Sequence, residues 1–542
     1  MQKRKYVIVL GSLMSGLGKG ILSSSLAKIL QSKGYKVVPI KFDGYLNVDC
    51  GTMNPFRHGE VFVLDDGTEC DMDFGTYERF LNIDISGKSS ITGGKLFSRL
   101  IEKERKGGFL GRDVQIVPHL TDEIKNWVRG VGEQAKADVV FVEVGGTVGD
   151  LENGYFIEAM RQFAHEEGEG NVLFVQLTYV PSLSEGEQKS KPTQHANRLI
   201  QSMGISPKII ICRQQEPLTR EVREKISMFC SVPIENVFDD PALETIYELP
   251  IALEKQKISQ VLLKELNLEH KDEDLKEWRA LVERIRTPKR EMRVAICGKY
   301  TAVKDAYVSV KEAVVHAAAF HGVKAHIEWV EASELEEGKT VAKEMLKGID
   351  AVIVPGGFGS RGTEGKIQVA KYCRENRLPY LGLCFGLQMQ VIEYARNVCG
   401  MQGANTTEID EKTKYPVIDF LPEQRKIKDK GATMRLGAYE CVVKKGTKAY
   451  EAYGAEKISE RHRHRYEVND AFVEALEKAG LVVCGKSPEG DIVEMVEWKD
   501  GFGVSTQAHP ELKSRLEKPA PLFVALLKAA LERKKHAVVN KS

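Results

Sequence analysis

Three groups of residues in this chain have types and spacing that could do chemistry. The first is Gly382-Leu383-Cys384-Phe385-Gly386, of the form G-x-nucleophile-x-G. That is the strand-to-helix elbow that lifts a nucleophile into the open, with cysteine in the serine position. A free cysteine is usually a small buried hydrophobe; the elbow spacing argues for a nucleophile here. A thiol of ordinary pKa, about 8.5, is only slightly ionised at neutral pH and needs a base. His509-Pro510-Glu511 offers an imidazole with a carboxylate two residues on. In an extended segment those two side chains share a side, so the acid can orient the ring. Pro355-Gly356-Gly357-Phe358-Gly359 ends an earlier apolar run. Its backbone could present N–H groups to an oxyanion, and a plain tight turn explains it equally well.

The second group is Gly11–Ile21, Gly-Ser-Leu-Met-Ser-Gly-Leu-Gly-Lys-Gly-Ile, between the apolar run Tyr6–Leu10 and a helical pattern. Strand, glycine loop and helix cradle phosphate: amides point inward, the helix N-terminus adds positive potential and a lysine reaches the oxygens. The loop fails a strict Walker A. Leu13 stands where the first glycine belongs, and Gly20 replaces the Ser/Thr that holds magnesium. A plain βα turn is the alternative, and any metal must be held from elsewhere. The third group supplies acids. Asp138–Glu143 reads as a buried strand ending in a carboxylate, as in a Walker B arrangement. Glu69-Cys70-Asp71-Met72-Asp73 is a second acidic cluster or a solvated turn.

The elements that must position these groups alternate apolar runs with helical patterns. Strands are predicted at Tyr6–Leu10, Lys36–Phe42, Asp138–Val144, Val172–Val180 and Lys208–Cys212. Runs that are flat in hydrophobicity imply a parallel sheet covered on both faces. The helix Lys19–Lys33 carries Ile21, Leu22, Leu26, Ile29 and Leu30 on one stripe, with Gly34 to cap it. The charge-rich stretch Lys271–Arg290, with Pro288, reads as an exposed helix running into a linker. The partial apolar stripe Leu275–Ile285 suggests packing rather than a partner groove. The pattern then restarts: strands at Arg293–Cys297, His326–Val330, Ala351–Val354 and Tyr380–Leu383, and a helix at Val308–Phe320. The expected organisation is one α/β unit over 1–270, a linker over 271–291, a second α/β unit over 292–534 and a frayed tail over 535–542.

With 542 residues, several domains are expected. The formal net charge of +1 leaves no electrostatic footprint for general nucleic-acid binding. Arg461-His462-Arg463-His464-Arg465 is locally basic but lacks interleaved aromatics, so an anionic ligand or an interdomain contact is the better reading. The ten cysteines form no C-x-x-C pair, which argues against a zinc site or disulfide framework and for reducing cytoplasm. Basic Met1–Lys5 before an apolar run imitates a signal peptide, but the run breaks at Gly11 and reads as a first strand. No apolar run is long enough to span a membrane.

The elbow, the glycine turn and His509-Pro510-Glu511 resemble the class I glutamine amidotransferase domain, in which Cys, His and Glu release ammonia from glutamine. The match falls on Cys384, His509 and Glu511. Further blocks extend the resemblance: Ser15–Ile21, Asn47-Val48-Asp49, Gly51-Thr52-Met53, His58–Val63, Tyr77–Phe80, Lys103–Arg105, Val117–His119, Val142–Asp150, Lys191–Gln194, Thr433–Gly437 and Arg461–Asn469. Together, over about residues 4–530, they resemble the CTP synthase family. That resemblance implies two doubly wound α/β domains, an N-terminal P-loop-like amidoligase (ATP/UTP-binding synthase) and a C-terminal class I glutaminase. The implied reaction is ATP-dependent amination of UTP to CTP with glutamine-derived ammonia, through a 4-phosphorylated UTP. Free ammonia protonates in neutral water, which gives a reason for both halves sharing one chain.

The resemblance also implies site residues. Gly16, Leu17, Gly18, Lys19, Gly20 and Ile21 would hold ATP phosphates, with Asp73, Arg213, Pro241, Ala242 and Leu243 also on the ATP side. Ser15, Asp150, Leu151, Glu152, Lys189, Ser190, Lys191, Pro192, Thr193, Gln194 and Lys225 would bind UTP or CTP. Gly357, Phe385, Gly386, Leu387, Gln388, Glu408 and Arg465 would hold glutamine. Asp73 and Glu143 would bind Mg2+. GTP as allosteric activator, CTP as feedback inhibitor, a homotetramer and a cytoplasmic location follow in the same way, with no nucleic acid or membrane as partner. Departures from the family pattern are Ser12, Gly44, Cys50, Phe74, Ser190, Phe385, Leu387 and Ala508; Phe385 and Ala508 are expected to reshape the glutamine pocket. Two rivals remain from the loop chemistry alone: an amidotransferase acting on a carboxylate, as in cobyric-acid-type amidation, and a ParA/MinD-like ATPase or filament scaffold.

Overall fold

The computed structural model describes residues 3–12, 14–183, 186–272, 274–301, 303–420 and 434–539. Leu13 and Thr433, both used in the sequence reading, lie outside the described residues. The chain divides into two compact units: Met1–Asp49 with Thr76–Val282, and Cys50–Gly75 with Glu283–Ser542.

The first unit is built on seven strands: β1 (Lys5–Gly11), β2 (Val37–Asp43), β3 (Ser90–Thr92), β4 (Val139–Val144), β5 (Val172–Tyr179), β6 (Ile209–Gln214) and β7 (Val237–Pro241). They lie in the order β3-β2-β4-β1-β5-β6-β7, every pair parallel. Alternate residues explain the flat hydrophobicity. Tyr6, Ile8, Leu10, Ile40, Phe42, Val140, Val142 and Val144 fill one core, while Val7 and Val9 are buried on the other face. Helix α1 (Lys19–Ser32) leaves the β1 loop, and Gly34 takes a positive φ just past its end. The short strands β3 and β7 escaped the sequence reading.

Helix α2 (Lys276–Arg286) is not the exposed run its charges suggest. Its Trp278 is 1% exposed, packs on Phe80 and Tyr247 with ring centroids 5.5 and 5.8 Å away, and donates from Nε1 to Tyr247 O at 2.8 Å. Lys28 Nζ lies 4.7 Å over its ring. Burial of an indole at such a site is worth on the order of 3–5 kcal/mol. The partial apolar stripe is therefore packing, as its spacing suggested.

The main sheet of the second unit has nine strands: β8 (Arg290–Gly298), β9 (Val323–Glu331), β10 (Ala351–Val354), β11 (Tyr380–Leu383), β12 (Arg435–Val443), β13 (Lys457–His464), β14 (Leu481–Lys486), β15 (Val493–Trp498) and β16 (Gly503–Thr506). Their order is β9-β8-β10-β11-β16-β15-β14-β12-β13. The first five run parallel and the rest form an antiparallel wing. Cores lie on both sheet faces. The last helix, α3 (Pro521–Val539), carries the chain through residues expected to fray; 540–542 lie outside the described residues.

The contiguous 1–270 unit expected from sequence differs from the compact unit, because Cys50–Gly75 groups with the C-terminal residues. Ion pairs explain the grouping. Arg461 Nε meets Asp65 at 2.5 Å and Arg463 Nε meets Glu69 at 2.8 Å. Glu69 is 3% exposed, so the acidic run is not a solvated turn. Two arginines of the basic motif, Arg461 and Arg463, are thereby committed to carboxylates of their own chain.

Candidate active site

Cys384 caps β11 and starts helix α4 (Phe385–Asn397, the elbow helix preceding α3 in the chain). Its φ of 52° and ψ of −102° are strained for a side-chain-bearing residue. The elbow glycines are dictated by close approach. A Cβ on Gly386 would lie 2.1 Å from Val354 O, and one on Gly382 would lie 2.3 Å from Ser505 Oγ. Cys384 N–H donates to Thr506 O at 2.7 Å, fixing the turn to β16. Its Sγ lies 3.7 Å from Arg463 O and 3.5 Å from Gln507 Nε2, which donates to it.

His509 follows β16 and borders the same cavity of about 240 Å³ as Cys384 and Glu511. His509 N–H donates to Arg461 O at 2.7 Å, and Nδ1 lies 2.7 Å from Glu511 Oε1. Nε2 is buried without a hydrogen-bond partner. Burial pushes the imidazole pKa down, but the Glu511 carboxylate and the Cys384 thiolate outweigh it and carry it up to about 10. The imidazole is thus held toward its protonated form, which can protonate the leaving amine once the sulfur has attacked an amide.

Two backbone N–H groups adjoin this chemistry. The N–H groups of Gly357 and Phe385 meet no protein acceptor among the described residues, and Gly356, Gly357 and Phe358 border the cavity. Among the other expected glutamine residues, Gln388 is 3% exposed; it donates to Tyr466 O at 3.0 Å, and its Oε1 is buried without a partner. Glu408 accepts the Gly359 N–H at 2.7 Å, and burial raises its pKa. Arg465 is half-buried just beyond β13. The expectation that Phe385 reshapes the pocket is corrected, and Leu387 is placed alike. Their side chains are 1% and 0% exposed within the core, so only their backbone is available to a ligand. Ala508 is likewise buried, its N–H donating to Thr506 Oγ1 at 3.2 Å.

In the first unit the loop after β1 turns through Gly16 and Gly18, whose φ values of 76° and 91° favour glycine. Lys19 folds back over Gly11 and donates from Nζ to Gly146 O at 2.6 Å. A Cβ on Gly11 would meet the end of the Lys19 side chain, 2.7 Å from its Cδ. Ser15 and Gly16 are exposed, Leu17 and Gly20 are buried, and Gly18 and Ile21 lie between. Ser12, in place of glycine, is accommodated by donating to Leu177 O at 3.0 Å. The loop sits at the carboxyl edge of the sheet, where β1 lies between strands that cross over in opposite directions, the usual ligand crevice of such folds.

Glu143 ends β4 in register with Val9 of β1 and is 2% exposed. Tyr77 Oη donates to it. A buried hard oxygen donor at this edge fits a magnesium site, which needs one or two carboxylates beside phosphate and water. Asp73 opens the helix Asp73–Leu81, and its N–H donates to Asp71 Oδ1 at 2.9 Å.

The remaining expected nucleotide residues are spread over this unit. Asp150 Oδ2 accepts from Thr147 N–H and Oγ1 at 2.8 and 2.6 Å, which lowers its pKa; Leu151 and Glu152 beside it are exposed. Gly44, in place of proline, leaves room for this turn: a Cβ there would lie 2.5 Å from Asn153 Oδ1. Lys189 pairs with Glu187 at 2.5 Å, and Ser190 Oγ accepts from Gln194 at 3.1 Å. Lys191 and Pro192 begin the next helix, and Thr193 Oγ1 lies 3.2 Å from Thr178 Oγ1. Arg213 meets Asp240 at 2.8 Å; burial pushes that carboxyl up to about 6 against the arginine's pull. Pro241 ends β7, with Ala242 and Leu243 following. Lys225 pairs with Glu221 at 2.6 Å along an exposed helix face.

Sequence reasoning missed Lys299, Lys366 and Gln507. Lysines normally read as exposed; the signal for Lys299 was Gly-Lys directly after an apolar strand.

Comparison with known proteins finds two families along the chain. Residues 302–529 match the family described as glutamine amidotransferase class-I, and residues 5–268 match the one described as CTP synthase N-terminus. The chain thus joins a segment of the class I glutamine amidotransferase family to one of the CTP synthase N-terminal family. A CTP synthase of Caldanaerobacter subterraneus subsp. tengcongensis is 51% identical, over 98% of this chain and 99% of its own. One of Methanocaldococcus jannaschii is 48% identical, over 98% of this chain and 100% of its own. The chain belongs to the CTP synthase family. Among solved structures, the glutaminase domain of Trypanosoma brucei CTPS with bound acivicin is 36% identical, covering 44% of this chain and 94% of that one with a TM-score of 0.41.

Proposed function

We propose that this chain aminates UTP to CTP, using ATP and ammonia released from glutamine. The observation that carries the reading is the Cys384–His509–Glu511 arrangement on the same chain as the Lys19 loop. In the glutaminase half, Cys384 Sγ attacks the side-chain amide carbon, and the oxyanion is received by the N–H groups of Gly357 and Phe385. His509 passes a proton to the departing ammonia. It then takes one from water, whose attack on the thioester releases glutamate and restores the thiol.

In the other half, uracil O4 attacks the γ-phosphorus of ATP and ADP leaves. Ammonia then adds to C4 and phosphate departs with O4, giving CTP. Lys19 and the N–H groups of Gly16–Ile21 bind the phosphates and orient the γ-group. Asp73 and Glu143 would hold Mg2+, which when bound neutralises charge on the phosphate oxygens. Ser15, Asp150–Glu152, Lys189–Gln194 and Lys225 hold the pyrimidine nucleotide; Arg213 and Pro241–Leu243 lie on the ATP side. Gln388, Glu408 and Arg465 hold glutamine. Activation by GTP, inhibition by CTP, a homotetramer and a cytoplasmic location complete the reading and rest on family membership. Among the described residues no helix is long and apolar enough to cross a membrane. The purified chain given ATP, Mg2+, UTP and glutamine should produce CTP, ADP, phosphate and glutamate in equal amounts. ADP released without UTP, or CTP absent, refutes the proposal.

A further inference from the structure

The oxyanion loop and the elbow meet over two buried lysines that neither motif announces. Lys299 follows β8 and is 2% exposed; Lys366, in the helix Thr363–Glu375, is 0% exposed. Among the described residues neither forms an ion pair. A buried ammonium without a carboxylate in direct contact is expensive, and the charges of Glu408, Glu336 and Glu331 only partly offset the burial of Lys299. Burial pushes Lys366 down to about 7, helped by the charge of Lys299, and pushes Lys299 down to about 8.

Their contacts all converge on one short loop. Lys366 Nζ donates to Pro355 O at 2.9 Å. Lys299 Nζ donates to Phe358 O and, at 2.8 Å, to Gly359 O. The peptide joining Phe358 to Gly359 is held at both ends, since its N–H donates to Glu408. The two ammonium groups also lie 5.0 and 5.1 Å over the Phe385 ring, whose own backbone N–H is the second oxyanion donor. Gly357 sits between the anchors: a Cβ there would lie 3.0 Å from Lys299 Cε and 3.7 Å from Lys366 Nζ. Carbonyls on both sides of Gly356–Gly357 are therefore drawn toward the lysines, and the Gly357 N–H is left unpartnered beside the Cys384 cavity.

We propose that Lys299 and Lys366 are positioning residues for the glutaminase reaction. They hold the Pro355–Gly359 carbonyls so that the Gly357 N–H, with that of Phe385, meets the oxyanion formed at Cys384. The proposal deepens the glutaminase reading above and rests on it.

Lys366→Met and Lys299→Met keep an unbranched side chain one atom shorter and remove the donor. Glutamate release, alkylation of Cys384 by iodoacetamide and CTP formation from ammonium chloride are measured on the full chain. Each variant should lose about 10²–10³-fold in kcat for glutamine, the loss associated with one oxyanion donor, with KM within about threefold. Alkylation builds no oxyanion and should stay within about twofold of the parent, as should ammonia-dependent synthesis. Should Lys366→Met not fold, Lys299→Met carries the same readout. Unchanged glutamine turnover overturns the proposal. So does alkylation that falls in step with turnover, because the lysines would then act on the thiol or its packing. A parent chain that does not hydrolyse glutamine overturns the glutaminase reading itself, and this proposal with it.

Discussion

Glu511→Gln is the most informative change to the candidate triad, because it alters charge at His509 with almost no change of volume. The imidazole stands at about 10 rather than the ordinary 6.5. That rise corresponds to about 5 kcal/mol of preference for the charged ring. Burial works against it, so the preference comes from Glu511, 2.7 Å from Nδ1, and from the Cys384 thiolate. A glutamine keeps a hydrogen-bonding group but supplies no charge, and the thiolate alone must then offset burial. The ring pKa should fall by several units. Removing the orienting carboxylate from a catalytic histidine costs about 10³–10⁴-fold in comparable triads. The assay is glutamate release between pH 6 and 10.5. The parent should hold its activity until the pH approaches 10; the variant should be slower throughout and decline from a lower pH. The same shift acts on stability. Because the folded value lies above the unfolded one, the stabilisation is complete below about pH 6.5 and is lost as pH rises through about 10. The parent should therefore out-melt Glu511→Gln at pH 6 by a margin that shrinks toward pH 10.5. A variant with an unchanged alkaline limb, or a loss under tenfold, would refute the charge argument.

Cys384→Ala should abolish CTP formation from glutamine and leave that from ammonium chloride intact; loss of both would break the division between the halves. Glu143→Ala should stop synthesis from either nitrogen source while glutamine hydrolysis persists, and full synthesis in that variant would remove the metal assignment. Arg463→Ala strips the partner from the buried Glu69 carboxylate. It should lower stability by about 3–5 kcal/mol, read as a fall in Tm, and a change too small to resolve would mean Glu69 is solvated in solution.

Much of this was legible because local pattern and fold agreed. The β1–loop–α1 layout follows from an apolar run broken by Gly11, and the positive φ values of Gly16 and Gly18 suit the residues found there. The elbow was legible because the spacing of Gly382, Cys384 and Gly386 encodes close packing that only glycines permit. What stayed hidden depends on contacts distant in sequence. Nothing local tells Cys50–Gly75 to group with β13; that follows from Asp65 and Glu69 meeting arginines nearly four hundred residues away. The family resemblance placed Phe385 at the glutamine pocket, yet its ring lies against Lys299 and Lys366. Those lysines were invisible for the opposite reason, since composition marks lysine as surface.

The central claim is that nitrogen freed at Cys384 becomes the 4-amino group of CTP. Glutamine labelled with ¹⁵N in its side-chain amide, supplied with ATP, Mg2+ and UTP beside unlabelled ammonium at low concentration, tests it directly. The account predicts that CTP carries ¹⁵N at the 4-amino position and that Cys384→Ala yields only unlabelled CTP. Unlabelled CTP from the parent chain, or label retained in glutamine while CTP accumulates, would contradict it.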